Sequence, residues 1–359
     1  MESRFLIVVA LVFTGKLKSR IDTKERSQLL AAPDKTSKNS NVTRSRVSTT
    51  ESMDSVATKP FEEAFSSGLV LPGTLDPNFE DALRHVLSNP GSLVRPRLVS
   101  QMATAYGLEA GNAHDLAVAL EYFHTASLLF DDLPCMDNAL ERRGAPCTHL
   151  VFGDDSAILT ALALINRAYA LTWRAVSGAP QAKQRQALEF IEQCLGVEGI
   201  LNGQSLDLHY PDLPHSRETT ERIARGKTVS LIRLTLVLPA MLGGAHAREL
   251  QLIERISLFW GLAYQIMDDL KDVLQSSGQS GKTSARDVLL SRPNIAVVIG
   301  VRAAVQRLTR FIDLGDRVLR SLLTTKPGLD FLDRLRGELQ LELATVTRSS
   351  NALAERDRL

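Results

Sequence analysis

Apolar residues recur at helical spacing along the chain from about residue 60, and alternating runs of β-branched residues are nearly absent. The segment from Asp115 to Phe130 is apolar on every side, which is typical of a helix buried inside a large bundle. Pro and Gly residues separate it from the other predicted helices, which are Ala157–Val176, Lys183–Leu195, Glu218–Leu242, Arg248–Gln275, Ile295–Leu314 and Gly328–Arg348. The pattern predicts an all-α fold, a single large helical domain of about ten helices.

The first 60 residues have a different pattern. An apolar stretch from Phe5 to Phe13 is too short to span a bilayer, and residues 35–58 are expected to be disordered. The segment is either a targeting segment or an extension ahead of an internal start at Met53. A secretory signal is less favoured because no small-residue cleavage site follows the apolar stretch. We therefore divide the chain into a leader, residues 1–60, and a domain, residues 61–359. An internal start predicts a cytoplasmic protein, and a genuine targeting segment predicts an organelle.

The formal net charge of +1 averages two unlike parts of the chain. Residues 1–60 hold 11 Lys and Arg against 6 Asp and Glu, which leaves 31 against 35 in the remainder. The near-neutral balance and an aromatic content of 5% disfavour a nucleic-acid partner. A mean hydropathy of -0.04, with no apolar run of about 18 residues, disfavours an integral membrane span. Three scattered cysteines disfavour a disulfide framework or a zinc cluster.

Two aspartate clusters carry the chemical signal. Asp131, Asp132 and Asp137 follow a buried apolar helix, where their mutual repulsion and desolvation are costly unless a cation compensates. Ligands that are all oxygen indicate Mg²⁺, although a solvated acidic helix end is an alternative.

The second cluster shares one face of a predicted helix. Its members have the spacing i, i+3, i+4 and i+7, within an otherwise apolar stretch: Gln265, Asp268, Asp269 and Asp272. Two such acidic faces on either side of a cavity can hold a metal-bound diphosphate. Arg and Lys residues near both clusters would add the cations that a diphosphate needs.

Several motifs resemble the trans-isoprenyl diphosphate synthases, the polyprenyl synthetase family. They are HTASLLFDDLPCMDNALERRG, GQSLD, RGKT, YQIMDDLKDV and GKTSARD, in the family's order over roughly residues 65–310. The resemblance implies an isoprenoid synthase bundle around a central cavity and a homodimer. It also implies two or three Mg²⁺ ions and the condensation of isopentenyl diphosphate with allylic diphosphates.

The resemblance also implies roles for single residues. Metal ligation falls to Asp131, Asp137, Asp268 and Asp272, and the catalytic set adds Asp132, Asp269 and Lys227. The allylic diphosphate would contact Arg142, Lys227, Thr228, Gln265 and Lys282. The isopentenyl diphosphate would contact Ser92, Arg95, His124 and Arg143. As a bare sequence feature, His124 is more typical of a core residue than of a ligand.

One position departs from the family pattern. Relatives carry a lysine where this chain has Ser92, three residues before the retained Arg95. The loss of one ammonium from a diphosphate site costs on the order of 1–3 kcal/mol, so we expect weaker binding of isopentenyl diphosphate.

Product length is inferred from the helix before Asp131, along which the growing chain would run. One helical turn rises about 5.4 Å, close to the length of one isoprene unit. In short-chain relatives a bulky residue four or five positions before the first aspartate forms the floor of the tunnel. Here Ser127 and Ala126 are small, while Phe123 and Tyr122 are bulky and lie one turn deeper. This pattern predicts geranylgeranyl diphosphate (C20), with farnesyl diphosphate as the runner-up, unless the two aromatic residues only pack in the core.

Two other classes of protein share part of this pattern. A class I terpene cyclase usually carries an Asn/Ser/Glu metal motif in its second cluster, which here is all aspartate. A non-catalytic partner subunit usually lacks one cluster, and both are present.

Overall fold

The computed structural model describes residues 61–279 and 292–356. Residues 61–67 are helical, and a short antiparallel hairpin is formed by β1 (Glu141–Arg142) and β2 (Ala145–Pro146). The helices that follow are α1 (Pro77–Leu87), α2 (Val94–Tyr106), α3 (Ala110–Asp131), α4 (Thr148–Phe152), α5 (Asp154–Ser177), α6 (Gln181–Leu195), α7 (Ile200–Leu208), α8 (Arg217–Ala224), α9 (Ser230–Leu242), α10 (Ala247–Gln279), α11 (Ile295–Ile299), α12 (Val301–Thr325) and α13 (Phe331–Arg356). Short 3₁₀ turns cover Tyr210–Asp212 and Pro327–Leu329, and a π-helical turn covers Arg225–Val229.

Helix α3 lies at the centre of the bundle. Its side chains are buried on all sides, and it packs against α2, α5 and α9. Helix α9 is almost completely buried as well, and α10 packs against α9, α12 and α13. The prediction of an all-α helical bundle is confirmed.

Two segments that were predicted as single helices are interrupted. The segment Glu218–Leu242 widens into the π-helical turn between α8 and α9. The segment Ile295–Leu314 is broken at Gly300, which separates α11 from α12. Gly300 has a φ of +84°, a backbone conformation that glycine adopts more readily than other residues. The π-helical turn lies beside the cavity described below.

The hairpin fixes the direction of two arginines. Arg143 and Gly144 form its two-residue turn with φ values of +54° and +80°, the left-handed pair that such a hairpin requires. Glycine tolerates this backbone freely and arginine does not. The turn therefore sends Arg142, on β1, and Arg143 toward different partners.

Among residues 61–279 and 292–356, every helix is too short or too polar to cross a membrane.

Candidate active site

A cavity of about 550 Å³ lies at the centre of the bundle. Most of the predicted site residues line it: Phe123, His124, Ser127, Asp131, Asp137, Arg142, Lys227, Thr228, Gln265, Asp268 and Asp269. Residues from the C-terminal part of α3 and from the middle of α10 therefore meet around one space, although they lie far apart in the sequence.

Asp131 ends α3 and faces the cavity. Its Oδ1 accepts a hydrogen bond from Gln204 Nε2 at 2.8 Å, and Lys227 Nζ lies 3.9 Å away. Burial raises the pKa of Asp131, while the nearby Lys227 acts in the opposite direction. A desolvated carboxylate of this kind favours a bound cation.

Asp132 points away from the cavity and is 2% exposed. Arg142 Nε donates to both of its carboxylate oxygens, at 3.0 and 3.2 Å, and a second guanidinium nitrogen also donates to Asp132. The predicted catalytic residue Asp132 thus orients Arg142, which itself lines the cavity.

Asp137 is held by an arginine from the segment before α11. Arg292 Nη2 donates to Asp137 Oδ1 at 3.0 Å and to the carbonyl oxygen of Met136 at 3.0 Å. Arg292 Nη1 donates to the carbonyl oxygen of Asp207 at 3.2 Å. Arg292 therefore connects the first aspartate cluster to α7.

The aspartates of the second cluster differ in their surroundings. Asp268 borders the cavity. Asp269 is 1% exposed, and its oxygens accept hydrogen bonds from Gln265 Nε2 at 2.9 Å and from the backbone N–H of Ile295 at 2.8 Å. The cavity lining within the described residues omits Asp272, which lies one turn beyond Asp268 and is half-buried. Asp269 therefore secures α11 against α10.

The π-helical turn presents Lys227 and Thr228 to the cavity. Lys227 Nζ donates to Asp207 Oδ2 at 2.9 Å, and Thr228 Oγ1 donates to Gln265 Oε1 at 2.7 Å. Because Gln265 in turn donates to Asp269, the amide group of Gln265 has a single orientation. π-Helical turns are frequent at functional sites.

A second group of basic residues lies behind α3. Arg143 donates to the carbonyl oxygen of Asn89 at 2.9 Å and to Glu121 Oε1 at 3.1 Å. Arg95, near the start of α2, is 3% exposed, and burial lowers its pKa to about 10 although nearby Glu121 raises it. Ser92 is half-buried in the turn just before α2. The structure thus brings α2, α3 and the hairpin turn together.

His124 lies where this basic group meets the cavity. It is 2% exposed, and among the described residues neither ring nitrogen has a hydrogen-bond partner. Burial and the neighbouring Arg95, Arg143 and Arg142 hold its pKa well below 6.5. A satisfied core histidine would have a hydrogen-bond partner on at least one ring nitrogen. His124 has none among the described residues, and it borders the cavity.

The four predicted chain-length residues lie on two faces of α3. Phe123 and Ser127 line the cavity, eight and four residues before Asp131 on the same face. Tyr122 packs elsewhere: it is completely buried and its hydroxyl donates to the carbonyl oxygen of Phe65 at 2.6 Å. Ala126, four residues from Tyr122, is buried on that second face. The floor role predicted for Tyr122 is corrected, because a shift of one residue turns a helical side chain by about 100°.

The arrangement of the carboxylates suits Mg²⁺ that is also bound by water and substrate, and not a metal ion held by protein ligands alone. Within residues 61–279 and 292–356, no three His, Cys, Asp or Glu side chains converge closely enough to hold an ion by themselves. Mg²⁺ usually binds one or two carboxylates and completes its octahedron with water and substrate phosphates. Carboxylates on two sides of one cavity suit that requirement.

Comparison with known proteins identifies the family. Residues 76–316, more than half of the chain, match the family model described as polyprenyl synthetase. The chain belongs to the polyprenyl synthetase family. It is 35% identical over 239 residues to a putative geranylgeranyl pyrophosphate synthase 8, chloroplastic, of Arabidopsis thaliana, covering 64% of this chain and 66% of that protein. It is 33% identical over 242 residues to a geranylgeranyl diphosphate synthase of Pantoea ananas, covering 66% and 78%.

The structural comparison agrees with the family assignment. A geranyltransferase from Helicobacter pylori, complexed with magnesium and isoprenyl diphosphate, superposes with a TM-score of 0.66 at 25% identity, covering 85% of this chain and 100% of that one. The matches to several plant relatives span 61–66% of the lengths of those relatives. The predicted family resemblance is confirmed.

Some residues of the candidate site were not in the predicted set. Gln204 and Asp207 belong to the GQSLD motif, whose spacing of three places both on one side of α7, and this spacing was the available signal. Glu121 and Arg292 had no such signal. Lys282, also predicted for the allylic diphosphate, lies outside the described residues, as does the leader.

Proposed function

We propose that this protein is a Mg²⁺-dependent trans-prenyltransferase that forms geranylgeranyl diphosphate. The observation that carries the proposal is the shared cavity, where Asp131 and Asp137 on one side and Asp268 on the other meet Lys227 and an apolar wall. The relatives named geranylgeranyl diphosphate synthases support the same activity.

Each part of the cavity has a role in this reaction. Asp131, Asp137, Asp268 and Asp272 would hold two or three Mg²⁺ ions. When bound, magnesium neutralises negative charge on the diphosphate of the allylic substrate. Lys227 and Arg142 add fixed positive charge there, and Asp132 keeps the Arg142 guanidinium in place.

The second substrate would bind beside the first. Arg95, Arg143 and His124 lie together near the cavity and supply donors for the diphosphate of isopentenyl diphosphate. The neutral imidazole of His124 can donate from one nitrogen without adding charge. Glu121 offsets the charge of the two buried arginines and orients Arg143.

The bond changes follow from this placement. The allylic C–O bond breaks and the diphosphate leaves with the electron pair, facing Lys227 and Arg142. The double bond of isopentenyl diphosphate supplies the electron pair for the new C–C bond. The carbon adjacent to that former double bond then loses a proton to the departing diphosphate, which forms the double bond of the product. Protein side chains bind, orient and exclude water, and this scheme needs no protein nucleophile.

The test is identification of the products. The purified protein is incubated with Mg²⁺, isopentenyl diphosphate and dimethylallyl, geranyl or farnesyl diphosphate, and the dephosphorylated products are analysed by mass spectrometry. We expect C20 product from all three starters. Products that end at C15 would support the farnesyl alternative, cyclic hydrocarbons would support a terpene cyclase, and no product from any starter would contradict prenyl transfer.

We also propose a homodimer. The support is a row of exposed apolar side chains on α5: Ile158 at 38%, Leu162 at 49%, Tyr169 at 49% and Trp173 at 54% exposure. Their spacing puts them along one side of the helix, and such a surface favours burial against a second copy. Light scattering should give twice the chain mass, and Leu162→Glu should lower it toward the monomer value. A wild-type monomer would contradict this assembly.

For location, we propose the cytoplasm, with an organelle as the alternative if residues 1–60 act as a targeting segment. The plant relatives named chloroplastic favour the alternative. Sequencing of the N-terminus of the native protein, together with imaging of a fluorescent fusion, distinguishes the two locations.

A further inference from the structure

A lysine lies inside the second aspartate cluster. Lys271 comes three residues after Asp268 and directly before Asp272 on α10. Its ammonium forms an ion pair with the carboxylate of Glu342 on α13. The side chain of Lys271 is 25% exposed and that of Glu342 is 7% exposed. This pair therefore connects the helix that carries the aspartate cluster to α13.

Glu342 interrupts a buried apolar row on α13. Leu335, Leu339 and Val346 are buried, and Glu342, which lies between them, is buried as well. The four positions are separated by four, three and four residues, so they share one face of the helix. Helix α10 packs against α13. An apolar side chain at position 342 would continue the row.

Stability alone does not explain a carboxylate at this position. The desolvation of a buried ion pair cancels much of the attraction between its charges, and replacement of such a pair by apolar side chains is often neutral or stabilising. The charge of Glu342 is better explained by its effect on Lys271, the residue with which it pairs.

Without Glu342, the ammonium of Lys271 would lie beside the proposed metal ligands. Residues three apart on a helix are neighbours on its surface, and an aspartate and a lysine at this spacing attract each other. Lys271 has this spacing from Asp268, whose side chain borders the cavity. An ammonium at the Asp268 carboxylate would compete with Mg²⁺ for the carboxylate oxygens and would repel the ion.

We propose that Glu342 is a positioning residue that holds the ammonium of Lys271 against α13 and thereby keeps the carboxylate of Asp268 available to Mg²⁺. This inference rests on the proposed function, in which Asp268 is a metal ligand. Within the described part of the chain, the lining of the central cavity omits Glu342, so Glu342 acts through Lys271. Helix α13 thus contributes to metal binding without supplying a ligand.

The two charges can be removed separately. Glu342→Gln keeps the size of the side chain but releases Lys271, and it raises the Mg²⁺ concentration for half-maximal binding by roughly 3- to 10-fold. Glu342→Leu, which suits the apolar row, has the same effect. Lys271→Leu removes the competing ammonium, so the double variant Lys271→Leu/Glu342→Gln returns to the wild-type Mg²⁺ requirement.

A matched control breaks another ion pair of α10. Glu254 accepts hydrogen bonds from Arg233 Nε at 2.7 Å and from Arg233 Nη2 at 2.9 Å, which joins α10 to α9. Glu254 lies about 21 Å from Asp268 along α10. Glu254→Gln therefore measures what the loss of an interhelical ion pair does to the fold alone, and its Mg²⁺ requirement equals that of the wild type.

The experiment measures the response to Mg²⁺ in two ways. In the first, Mg²⁺ is titrated at a fixed concentration of inorganic diphosphate, and the rise in unfolding temperature reports binding. In the second, the rate of isopentenyl diphosphate incorporation from farnesyl diphosphate is measured against the Mg²⁺ concentration. Weaker Mg²⁺ binding in Glu342→Gln and Glu342→Leu, recovery in the double variant and wild-type binding in Glu254→Gln support the proposal.

Three results overturn it. One is unchanged Mg²⁺ binding in either folded Glu342 variant. Another is weaker binding that Lys271→Leu does not restore, and the third is an equal weakening in Glu254→Gln. A wild-type protein that incorporates no isopentenyl diphosphate instead contradicts the proposed function, which is a separate result.

Discussion

At the scale of single residues, the charged side chains beside the cavity are held in pairs. Asp132 is buried and accepts hydrogen bonds from Arg142, which is itself mostly buried. Removal of one partner of a buried ion pair leaves the other charge without compensation, which costs more than the pair contributes. The pair therefore matters for stability as well as for the orientation of Arg142.

We predict that Asp132→Ala lowers the free energy of unfolding by about 3–5 kcal/mol, because Arg142 keeps its charge in a buried position. Urea denaturation followed by circular dichroism measures the change. Glu80→Ala is the control, since Glu80 pairs with Arg84 on the surface of α1, where such pairs contribute about 0–1 kcal/mol. A loss for Asp132→Ala no larger than that of the control contradicts a stabilising role for the buried pair.

His124 makes stability depend on pH. In the folded protein its pKa is well below 6.5, the ordinary value, so the unfolded chain takes up the proton first as the pH falls. Above about pH 6.5 His124 is neutral in both states, so it does not lower the free energy of unfolding. As the pH falls below 6.5, the unfolded chain binds a proton that the folded protein does not, and the free energy of unfolding decreases.

We predict that His124→Gln reduces the loss of stability between about pH 7 and pH 5, by up to about 1.4 kcal/mol for each pH unit below 6.5. Urea denaturation across this range provides the measurement. His114→Gln, at an exposed histidine of the same helix, is expected to leave the pH dependence as in wild type. Identical slopes for His124→Gln and wild type would rule out this linkage.

At the scale of elements, the position of Lys227 depends on a close backbone contact. A Cβ atom on Gly226 would lie 2.7 Å from the Cα of Gly203, and one on Gly203 would lie 2.3 Å from the backbone nitrogen of Lys227. Helix α7 and the π-helical turn therefore pack backbone against backbone. This contact lets Lys227 reach Asp207 and Asp131.

We predict that Gly226→Ala lowers both the unfolding temperature and the rate of prenyl transfer, because the added methyl group pushes the π-helical turn away from α7. Gly337→Ala is the control: Gly337 lies inside α13, and a Cβ atom there would meet nothing within 4 Å. That change should stabilise the protein by about 0.5–1 kcal/mol, as expected for alanine in a helix. Equal behaviour of the two variants in differential scanning calorimetry and turnover assays would show that the contact is dispensable.

The helices were predictable, but the direction in which α3 faces was not. Its apolar residues cover every side, so their periodicity does not indicate which side meets the cavity. Tyr122 and Phe123 are both large and aromatic, and only the packed structure distinguishes the core residue from the lining residue. By contrast, the polar face of α10 was visible because Gln265 and Asp268 interrupt an apolar pattern.

At the scale of the whole molecule, the predictable contacts were those with a local pattern. Asp131 and Asp268 lie in dense clusters, and the fold brings both to one cavity. The bond from Arg292 to Asp137 joins residues 155 positions apart, and no motif surrounds Arg292. Such a contact depends on how α11 docks on α10 through Asp269, which the sequence pattern does not encode locally.

In the proposed reaction, both aspartate clusters act on the same diphosphate, and this shared action can be measured. It is tested most directly by the steady-state rate of isopentenyl diphosphate incorporation in Asp131→Asn and Asp268→Asn, compared with Asp313→Asn at an exposed position of α12. We predict that each of the first two substitutions lowers the rate by roughly 100-fold or more, as the loss of an essential electrostatic group does, while Asp313→Asn leaves it unchanged. A wild-type rate in either Asp131→Asn or Asp268→Asn would contradict this shared action.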